Sequence, residues 1–418
     1  MSQTQASLGE FEDGEVLSSF LPVGWDEQAR KLGAIRRARY LKEPATVLRI
    51  LLLHLASGCS LAETAARATA GGLARISAVG VFKRLRAPEP WLRWLAQQMR
   101  GVGCLPLPAL GRRLRAVEAT TVSEPGATGA DGKVHDALNV ADLQCDFFAV
   151  TDIRQGGETF RRIPVVAGDI LMGDRVYASP PGIAPVVGAG ADVLVRVNRG
   201  TLPLFNRAGR RLDLLPLLRS LQGKSPRPWE ARVPHPQGGW VTGRLIALRQ
   251  SVEAADAQFR RLQREARHKH RTLSPEALEF TPYFLVWTTL RTDPEARLLL
   301  ELYRQRWQIE LVFKRMKSIL GLGHLPKTDP LSSPAGLEGK LFVGLPIEHR
   351  VDTASAFSPW GYPLAAASEP LARVEFRYRQ VLTALTLPRS LATVLRRWHA
   401  ITRRMADTPR TRSRRPAF

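Results

Sequence analysis

The sequence predicts an α/β protein in which a mostly helical N-terminal region precedes a domain of strands and helices. Apolar residues first recur at helical spacing, whereas short strand-like segments follow from about residue 106. Strands then alternate with helices, a pattern typical of α/β domains. A length of 418 residues also exceeds that of one typical domain. We predict a helical N-terminal region (1–105), the first part of an α/β core (106–197), a β-rich insertion (198–282), the second part of the core (283–345) and a helical, basic C-terminal region (346–418).

The N-terminal region carries the signals of several short helices. The leucines of Val47–Leu55 recur at helical spacing, and Ser60 is expected to cap the next helix, with Glu63 three residues later. The pair Gly71–Gly72 then breaks the chain before a basic helix at about 77–86. This order is similar to a helix-turn-helix, so we predict that the region contacts DNA. The alternative is an ordinary helix pair that binds no DNA.

Strand-like segments dominate the first part of the core and return after the insertion. Turn residues such as Pro125-Gly126 separate them. The predicted strands lie within 113–122, 135–144, 147–154, 169–177, 191–198, 243–250 and 281–290.

Two further segments are predicted to be helical. The basic stretch 259–271 has arginines at helical intervals, and it is either a nucleic-acid contact or a solvated helix face. A long helix begins after Pro294, and Pro346 predicts a later helix break because proline does not fit a helix interior. The final stretch TPRTRSRRPAF is expected to bind nucleic acid through its charge alone.

The charge balance predicts a polyanionic partner. Lysine and arginine number 61 against 38 acidic residues, which gives a net charge of +23. Nucleic acid is the first expectation and an anionic membrane surface the second. The alternative is a soluble protein from a genome rich in arginine codons.

The cysteines and the apolar segments argue against several classes of protein. Cys59, Cys104 and Cys145 are widely separated, so neither a zinc cluster nor a disulfide framework is expected. The acidic, polar N-terminus is unlike a signal peptide, and no apolar run is long enough for a transmembrane helix. We therefore expect a soluble, cytoplasmic protein.

The segment ELYRQRWQIELVFKRMKSILGL carries the chemistry-bearing residues Tyr303, Arg306, Glu310 and Lys317. On one straight helix they would lie within an arc of about 60°, along about 21 Å of the axis. Cations and a phenol suit phosphate oxygens, and a carboxylate among them suits a metal ion that also contacts phosphate. The alternative is a surface helix with incidental charges.

This spacing resembles the Y-R-E-K signature of the insertion sequence four family of DDE transposases. Several stretches within about residues 110–340 are also similar to that family: ATTVSEPGATGAD, GGETFRRIPV, GDRVYASPPGI, DVLVRVNR and LGLGHLPK. The resemblance implies an RNase H-like catalytic core that the β-rich insertion interrupts. It also implies cut-and-paste transposition of an insertion sequence, with binding of terminal inverted repeats, DNA cleavage and strand transfer by a homodimer on double-stranded DNA.

The resemblance further implies three catalytic acids that hold two Mg²⁺ ions, with Mn²⁺ as a substitute. The second acid falls on Asp174 and the third on Glu310. At the first position the family pattern is strand-Asp-x-Thr-Thr, but this chain has Glu118 followed by Ala119-Thr120-Thr121. Asp142 is the next candidate, ahead of two other nearby acids, Asp131 and Asp136.

Glu118 leaves two functional hypotheses open. Its extra methylene displaces a metal ligand, and a displacement of about 1 Å can lower a rate on the order of 10²-fold. The chain is therefore either a transposase of reduced activity or a catalytically impaired DNA-binding relic or transposition repressor. A third class, a basic RNA- or ribosome-associated protein, does not account for the Y-R-E-K segment.

DNA contacts are implied for four residues. Tyr303, Arg306 and Lys317 would hold phosphates near the end of the element. Trp287, or Phe284 on the same strand, would stack on a displaced base. The alternative for both aromatic residues is a place in the core.

Overall fold

The structure is a computed structural model that places an open, eight-stranded mixed sheet beside a group of N-terminal helices. It describes residues 21–35, 41–55, 59–70, 72–99, 105–123, 132–152, 157–221, 223, 225–291, 294–324 and 332–353.

The N-terminal region is helical, as predicted. Its described helices are α1 (Trp25–Lys31), α2 (Pro44–Leu55), α3 (Leu61–Ala70), α4 (Ala78–Leu85) and α5 (Glu89–Gln98). Ser60 Oγ accepts a hydrogen bond from the Glu63 amide at 3.1 Å, which confirms the predicted cap. Ser77 caps α4 in the same way, through the Gly80 amide at 3.1 Å. Whether these helices contact DNA stays a prediction.

Seven of the eight strands overlap predicted segments, although those beginning at Gly132 and Trp240 start three residues earlier than expected. The strand Arg227–Pro234 was not predicted. The strands are β1 (Leu114–Val122), β2 (Gly132–Asn139), β3 (Cys145–Asp152), β4 (Ile170–Gly173), β5 (Asp192–Arg196), β6 (Arg227–Pro234), β7 (Trp240–Arg249) and β8 (Tyr283–Thr288). The order across the sheet is β3-β2-β1-β4-β5-β8-β7-β6. Only the central β1-β4 and β4-β5 pairs are parallel. This mixed arrangement is consistent with an RNase H-like core.

The two hairpin strands of the expected insertion belong to the same sheet. β7 pairs with β8, which in turn pairs with β5, so β6 and β7 extend the central sheet at its edge. Four helices connect the later strands: α6 (Pro180–Gly188), α7 (Leu214–Arg219), α8 (Val252–His268) and α9 (Pro275–Glu279). The basic stretch 259–271 therefore lies mostly on α8, which buries none of its residues.

The long helix expected after Pro294 is in fact two helices, α10 (Ala296–Arg304) and α11 (Trp307–Leu320). The amides of Gln305 and Arg306 donate to carbonyls three residues earlier, at 2.8 and 3.1 Å. This tighter hydrogen bonding winds the chain more closely than an α-helix does. The single straight helix assumed for the Y-R-E-K residues was therefore wrong, and Tyr303 lies on α10 whereas Glu310 lies on α11.

The helix break predicted at Pro346 is also wrong. α12 (Ser332–Thr353) continues through this residue. Its earlier turns are anchored in the core, where Leu337, Leu341 and Val343 are buried, and Arg93 of α5 donates to Glu338 at 3.0 Å. Tertiary packing thus holds the helix although Pro346 cannot donate its backbone hydrogen bond.

A buried ionic cluster fixes the start of β1. Arg115 is paired with Asp146 of β3 at 2.6 Å and with Asp169, just before β4, at 3.3 Å. Arg113 also pairs with Asp169, at 2.6 Å. Because these side chains are shielded from water, the cluster ties three strands together at one level of the sheet.

No helix among the residues that the structure describes is long and apolar enough to cross a membrane.

A first prediction concerns the close contact of β7 and β8. A Cβ added at Gly243 would overlap the Thr288 carbonyl oxygen and lie 2.5 Å from Cζ2 of the fully buried Trp287. We expect Gly243→Ala to lower the free energy of unfolding by about 1–3 kcal/mol, because the overpacked sheet must shift. Denaturant unfolding monitored by circular dichroism measures this loss.

The matched control is Gly188→Ala at the end of α6, where an added Cβ meets nothing within 4 Å. This variant should unfold like the parent or at slightly higher denaturant concentration. Equal stability of the two variants would contradict the predicted close contact.

A second prediction concerns the buried His135 of β2. Burial lowers its pKa to about 4, and the positive charges of Arg162 and Lys133 add to the effect. Since the unfolded chain binds this proton at a higher pH, near 6.5, stability present above pH 6.5 is lost as the pH falls towards 4. The loss from this one group should reach up to about 3 kcal/mol.

His135→Gln should flatten this part of the stability profile, since glutamine does not titrate. The measurement is the free energy of unfolding from pH 4 to 7.5, compared with the exposed His268→Gln on α8 as the control. Parallel profiles for the parent and His135→Gln would show that His135 does not contribute.

Candidate active site

The pairing of β1 with β4 positions the first two predicted acids. In this parallel pair, Ala116 lies opposite Met172. Two residues further along each strand the chain reaches Glu118 and Asp174. Because parallel strands advance in step, the two carboxylates emerge beside each other at the carboxyl end of β4.

The third predicted acid approaches from α11. The apolar side chains of Ile309, Val312 and Met316 are buried, so the helix lies on the sheet and exposes its other face. Glu310 lies between the buried and the exposed face of α11, and 42% of its side chain is accessible to solvent. The local sequence therefore places a carboxylate next to β1 without burying it completely.

Arg306 joins two of the acids directly. Its Nη1 donates to Glu118 Oε2 at 2.6 Å, and its Nη2 donates to Glu310 Oε1. Arg306 and Glu118 are only 16% and 17% exposed. Water therefore screens their ion pair less than it would at the surface. The guanidinium of Arg306 lies between the carboxylates of Glu118 and Glu310, so its positive charge offsets their mutual repulsion.

Electrostatics connect Asp174 to the same group of side chains. Burial raises the pKa of Glu118 to about 7; Arg306 opposes the rise, and the negative charges of Asp174 and Glu310 add to it. Burial lowers the pKa of Arg306, but Tyr303, Glu310 and Glu118 outweigh it, so the net pKa of Arg306 is raised. The three acids thus form one electrostatic unit whose charge Arg306 partly neutralises.

Tyr303 is turned into the protein. Its side chain is 6% exposed, and its hydroxyl donates to the Gly173 carbonyl oxygen at 3.2 Å. Burial raises its pKa to about 12, so the phenol keeps its proton at neutral pH. This bond connects α10 to the residue before Asp174. In this structure the Tyr303 hydroxyl therefore positions backbone, which differs from the phosphate contact expected from the sequence.

An open groove runs alongside the acids. It has a volume of about 540 Å³ and is lined by Glu118, Glu310, Lys314 and Lys317, among others. Both lysines are exposed. A groove with carboxylates at one side and lysines at the other suits a phosphate backbone.

The prediction that Trp287 stacks on a displaced base is wrong for this structure. Trp287 is fully buried in β8, and its Nε1 donates to the Ala231 carbonyl oxygen at 3.0 Å. Phe284 is also buried, and its ring contacts Tyr303 with the ring centroids 5.6 Å apart. β8 lies between β5 and β7, so inward-facing aromatic residues on it complete the core.

The alternative first acids differ in position. Asp136 lies opposite Glu118 in the antiparallel β1-β2 pair, where it is buried and accepts a hydrogen bond from Cys145 Sγ at 2.8 Å. Asp142 lies at the turn before β3, where it accepts hydrogen bonds from the amides of Gln144 and Leu105. Asp131 lies outside the described residues.

The donor set of the three acids suits a divalent metal ion. Hard cations such as Mg²⁺ prefer carboxylate oxygens, and Glu118, Asp174 and Glu310 supply them. A ready-made cluster of three metal-ligating side chains is not found in the described part of the chain. Arg306 holds two of the carboxylates instead, so metal binding requires these side chains to rearrange.

Sequence reasoning missed several cations near the acids. Lys314 was overlooked although it lies four residues after Glu310, the spacing that puts two side chains on one helix face. Arg175 directly follows Asp174, and Arg196 ends the next parallel strand. The carboxyl ends of neighbouring parallel strands lie at one edge, and this rule could have found both arginines.

Comparisons with known proteins identify the family of the chain. The transposase DDE domain family matches residues 139–337. The putative transposase InsL of insertion sequence element IS186A from Escherichia coli (strain K12) is 33% identical over 355 residues, which cover 81% of this chain and 93% of the relative. The transposase of insertion sequence element IS421 from Escherichia coli is 33% identical over 356 residues, with the same coverage. The chain therefore belongs to the DDE-domain transposases that bacterial insertion sequences encode.

Proposed function

We propose that this transposase binds the terminal inverted repeats of its insertion sequence and catalyses metal-dependent cleavage and strand transfer of DNA. The observation that carries the proposal is the bridge from Arg306 to Glu118 and Glu310. It brings acids from β1 and α11 together, and the electrostatic effect of Asp174 on Glu118 adds the third. We also assign the chain to the insertion sequence four family through its Tyr303-Arg306-Glu310-Lys317 spacing.

Glu118, Asp174 and Glu310 would hold the divalent ions, two Mg²⁺ or Mn²⁺ in this proposal. DDE transposases generally use such ions, which when bound activate a water molecule and stabilise the leaving 3′ oxygen. The chain's own acids supply the negative charge that attracts them. Burial is the main cause of the raised pKa of Glu118, and a bound cation would relieve the additional repulsion from Asp174 and Glu310.

Arg306 has a second task in this proposal. If the carboxylates held a divalent ion, the guanidinium would no longer be needed between Glu118 and Glu310 and could bind a phosphate oxygen of the substrate. Tyr303 keeps the Gly173 carbonyl in place and so positions Asp174. Lys314 and Lys317 bind phosphates along the groove.

Glu118 keeps a second function under consideration. A glutamate in place of the family's aspartate pushes the carboxylate outward by one methylene, and here Arg306 holds that carboxylate. A chain with one poorly placed ligand would still bind DNA through its cations, as a transposition repressor or an inactive relic would. An assay of metal-dependent DNA cleavage distinguishes the repressor or relic from an active transposase. For the active transposase we propose a homodimer on the paired DNA ends.

The test of catalysis uses duplexes from the two ends of the insertion sequence. We expect Glu310→Gln to lower Mg²⁺-dependent end cleavage by at least about 10²-fold with near-normal DNA binding, because a ligand is lost while phosphate contacts remain. The measurement is cleavage in a denaturing gel. The control is Glu301→Gln on α10, whose side chain is 50% exposed and pairs only with Arg297 among the described residues; it should cleave like the parent.

A separate series tests the first acid. Glu118→Asp should raise cleavage, Glu118→Ala should abolish it, and Mn²⁺ should partly restore the parent because it is less demanding than Mg²⁺ about ligand geometry. End cleavage by each variant in both metals is measured. Equal cleavage by Glu118→Ala and the parent would remove Glu118 from the site, and no cleavage by any variant would favour the repressor.

DNA binding is tested through its salt dependence. Each phosphate neutralised by a cation releases counterions, so Lys317→Gln should lower the salt slope of duplex binding by about one unit. Arg297→Gln, an 80% exposed cation on α10, is the control and should leave the slope unchanged. Fluorescence anisotropy from 50 to 300 mM salt gives the slopes. An unchanged slope for Lys317→Gln would show that Lys317 does not contact phosphate.

A further inference from the structure

A second cavity shares no lining residue with the lysine-lined groove. It has a volume of about 300 Å³ and lies between the segment after β5, α8, α9 and β8. We call it the arginine cleft and define it by four residues: Arg175 and Arg199 line it, and Arg196 and Arg261 stand beside it. Arg175 directly follows the candidate metal ligand Asp174, so the cleft adjoins the acids through the backbone.

The arginines of the cleft outnumber the described acidic side chains that pair with them. Within the described part of the chain, neither Arg175 nor Arg261 makes a side-chain hydrogen bond or ion pair. Among the described residues, the hydrogen-bond partner and the ring partner of Arg196 are both neutral: the amide oxygen of Gln258 at 3.3 Å and the ring of Phe284, whose centroid is 4.9 Å from Arg196 Cζ.

Acids near the cleft neutralise one of its four arginines. Glu276 pairs with Arg199 at 2.7 Å, whereas Glu265 pairs with Lys269, which is outside the cleft, at 2.6 Å. Burial lowers the pKa of Arg196 to about 10, and the positive charges of Arg175, Arg261 and Arg306 lower it further against the opposing effect of Tyr303. A group of cations that repel one another in a concave site is stabilised by an anion.

We propose that the arginine cleft binds a phosphate group of the DNA backbone, outside the stretch that contacts the acids and Lys317. This inference rests on the proposed function, because DNA is the anion that the chain acts on. Arginine from two separate segments suits phosphate, since each planar guanidinium donates paired hydrogen bonds to its oxygens. The cleft and the lysine-lined groove would then hold the backbone at two separate places near the acid site.

The helical geometry of α8 supplies a matched control. Gln258 and Leu262 line the cleft, so their face of α8 is turned towards it. At 100° per residue, Arg260 points about 180° from that face, whereas Arg261 lies at its edge. Both arginines are exposed, so replacing either leaves the core intact.

The test compares the double variant Arg175→Gln/Arg261→Gln with Arg260→Gln and the parent. Fluorescence anisotropy is measured with duplexes from the ends of the insertion sequence across a salt series. We expect the double variant to lower the salt slope by about one to two units and Arg260→Gln to leave it near the parent value. Unfolding curves for all three proteins show that the fold is retained.

Neutral phosphates locate the contact. A set of duplexes carries one methylphosphonate at each successive backbone position. The parent and Arg260→Gln should lose affinity at a position that makes no difference to the double variant. Identical position profiles for all three proteins, or equal changes in slope for the double variant and Arg260→Gln, would overturn the proposal.

The outcomes also separate this inference from the proposed function. If the parent cleaves DNA and the variants bind alike, the proposed function is supported and phosphate binding by the cleft is rejected. If the variants differ in DNA binding as predicted but the parent never cleaves DNA, the catalytic proposal is rejected and phosphate binding by the cleft is supported. A parent that does not bind duplex DNA overturns both.

Discussion

The ion bridge from Arg306 to Glu118 and Glu310 is the interaction on which the candidate site depends. It joins a strand of the sheet to a helix that packs over it, and both ends of the Glu118 pair are largely shielded from water. The shielded carboxylate of Glu118 and the partly exposed carboxylate of Glu310 repel each other unless a cation lies between them. Arg306 meets this need in the described structure, and a metal ion would meet it during catalysis. The same pair of carboxylates thus accounts for stability in one state and for the proposed chemistry in the other.

The sheet makes this bridge possible by holding β1 and β4 in register. The buried cluster of Arg115, Asp146 and Asp169 fixes the start of both strands. Breaking such a pair leaves a buried charge without a partner, which typically costs about 3–5 kcal/mol. The Tyr303 hydroxyl then holds the end of β4 at the Gly173 carbonyl. The backbone next to Asp174 is consequently held by two contacts: the pairing of β4 with β1 and the hydrogen bond from Tyr303 of α10.

Cations of this transposase are distributed around the acids in two distinct settings. Lys314 and Lys317 line an open groove, whereas Arg175 and Arg196 lie at or beside a smaller cleft next to Asp174. These four cations near the candidate acids add a local attraction for phosphate to the general attraction of the +23 net charge for a polyanion.

Sequence alone determined the local elements and the family. Periodicity and capping residues predicted the helices after Ser60 and Ser77, and the Y-R-E-K spacing pointed to the transposases to which the chain belongs. Tertiary structure alone decided which side chains face inward. Trp287 completes the core because its strand lies between two others, and Pro346 lies within a helix because neighbouring turns are anchored by packing. The tight turn before Arg306 and its bridge to Glu118, 188 residues away, also depend on contacts that no local pattern encodes.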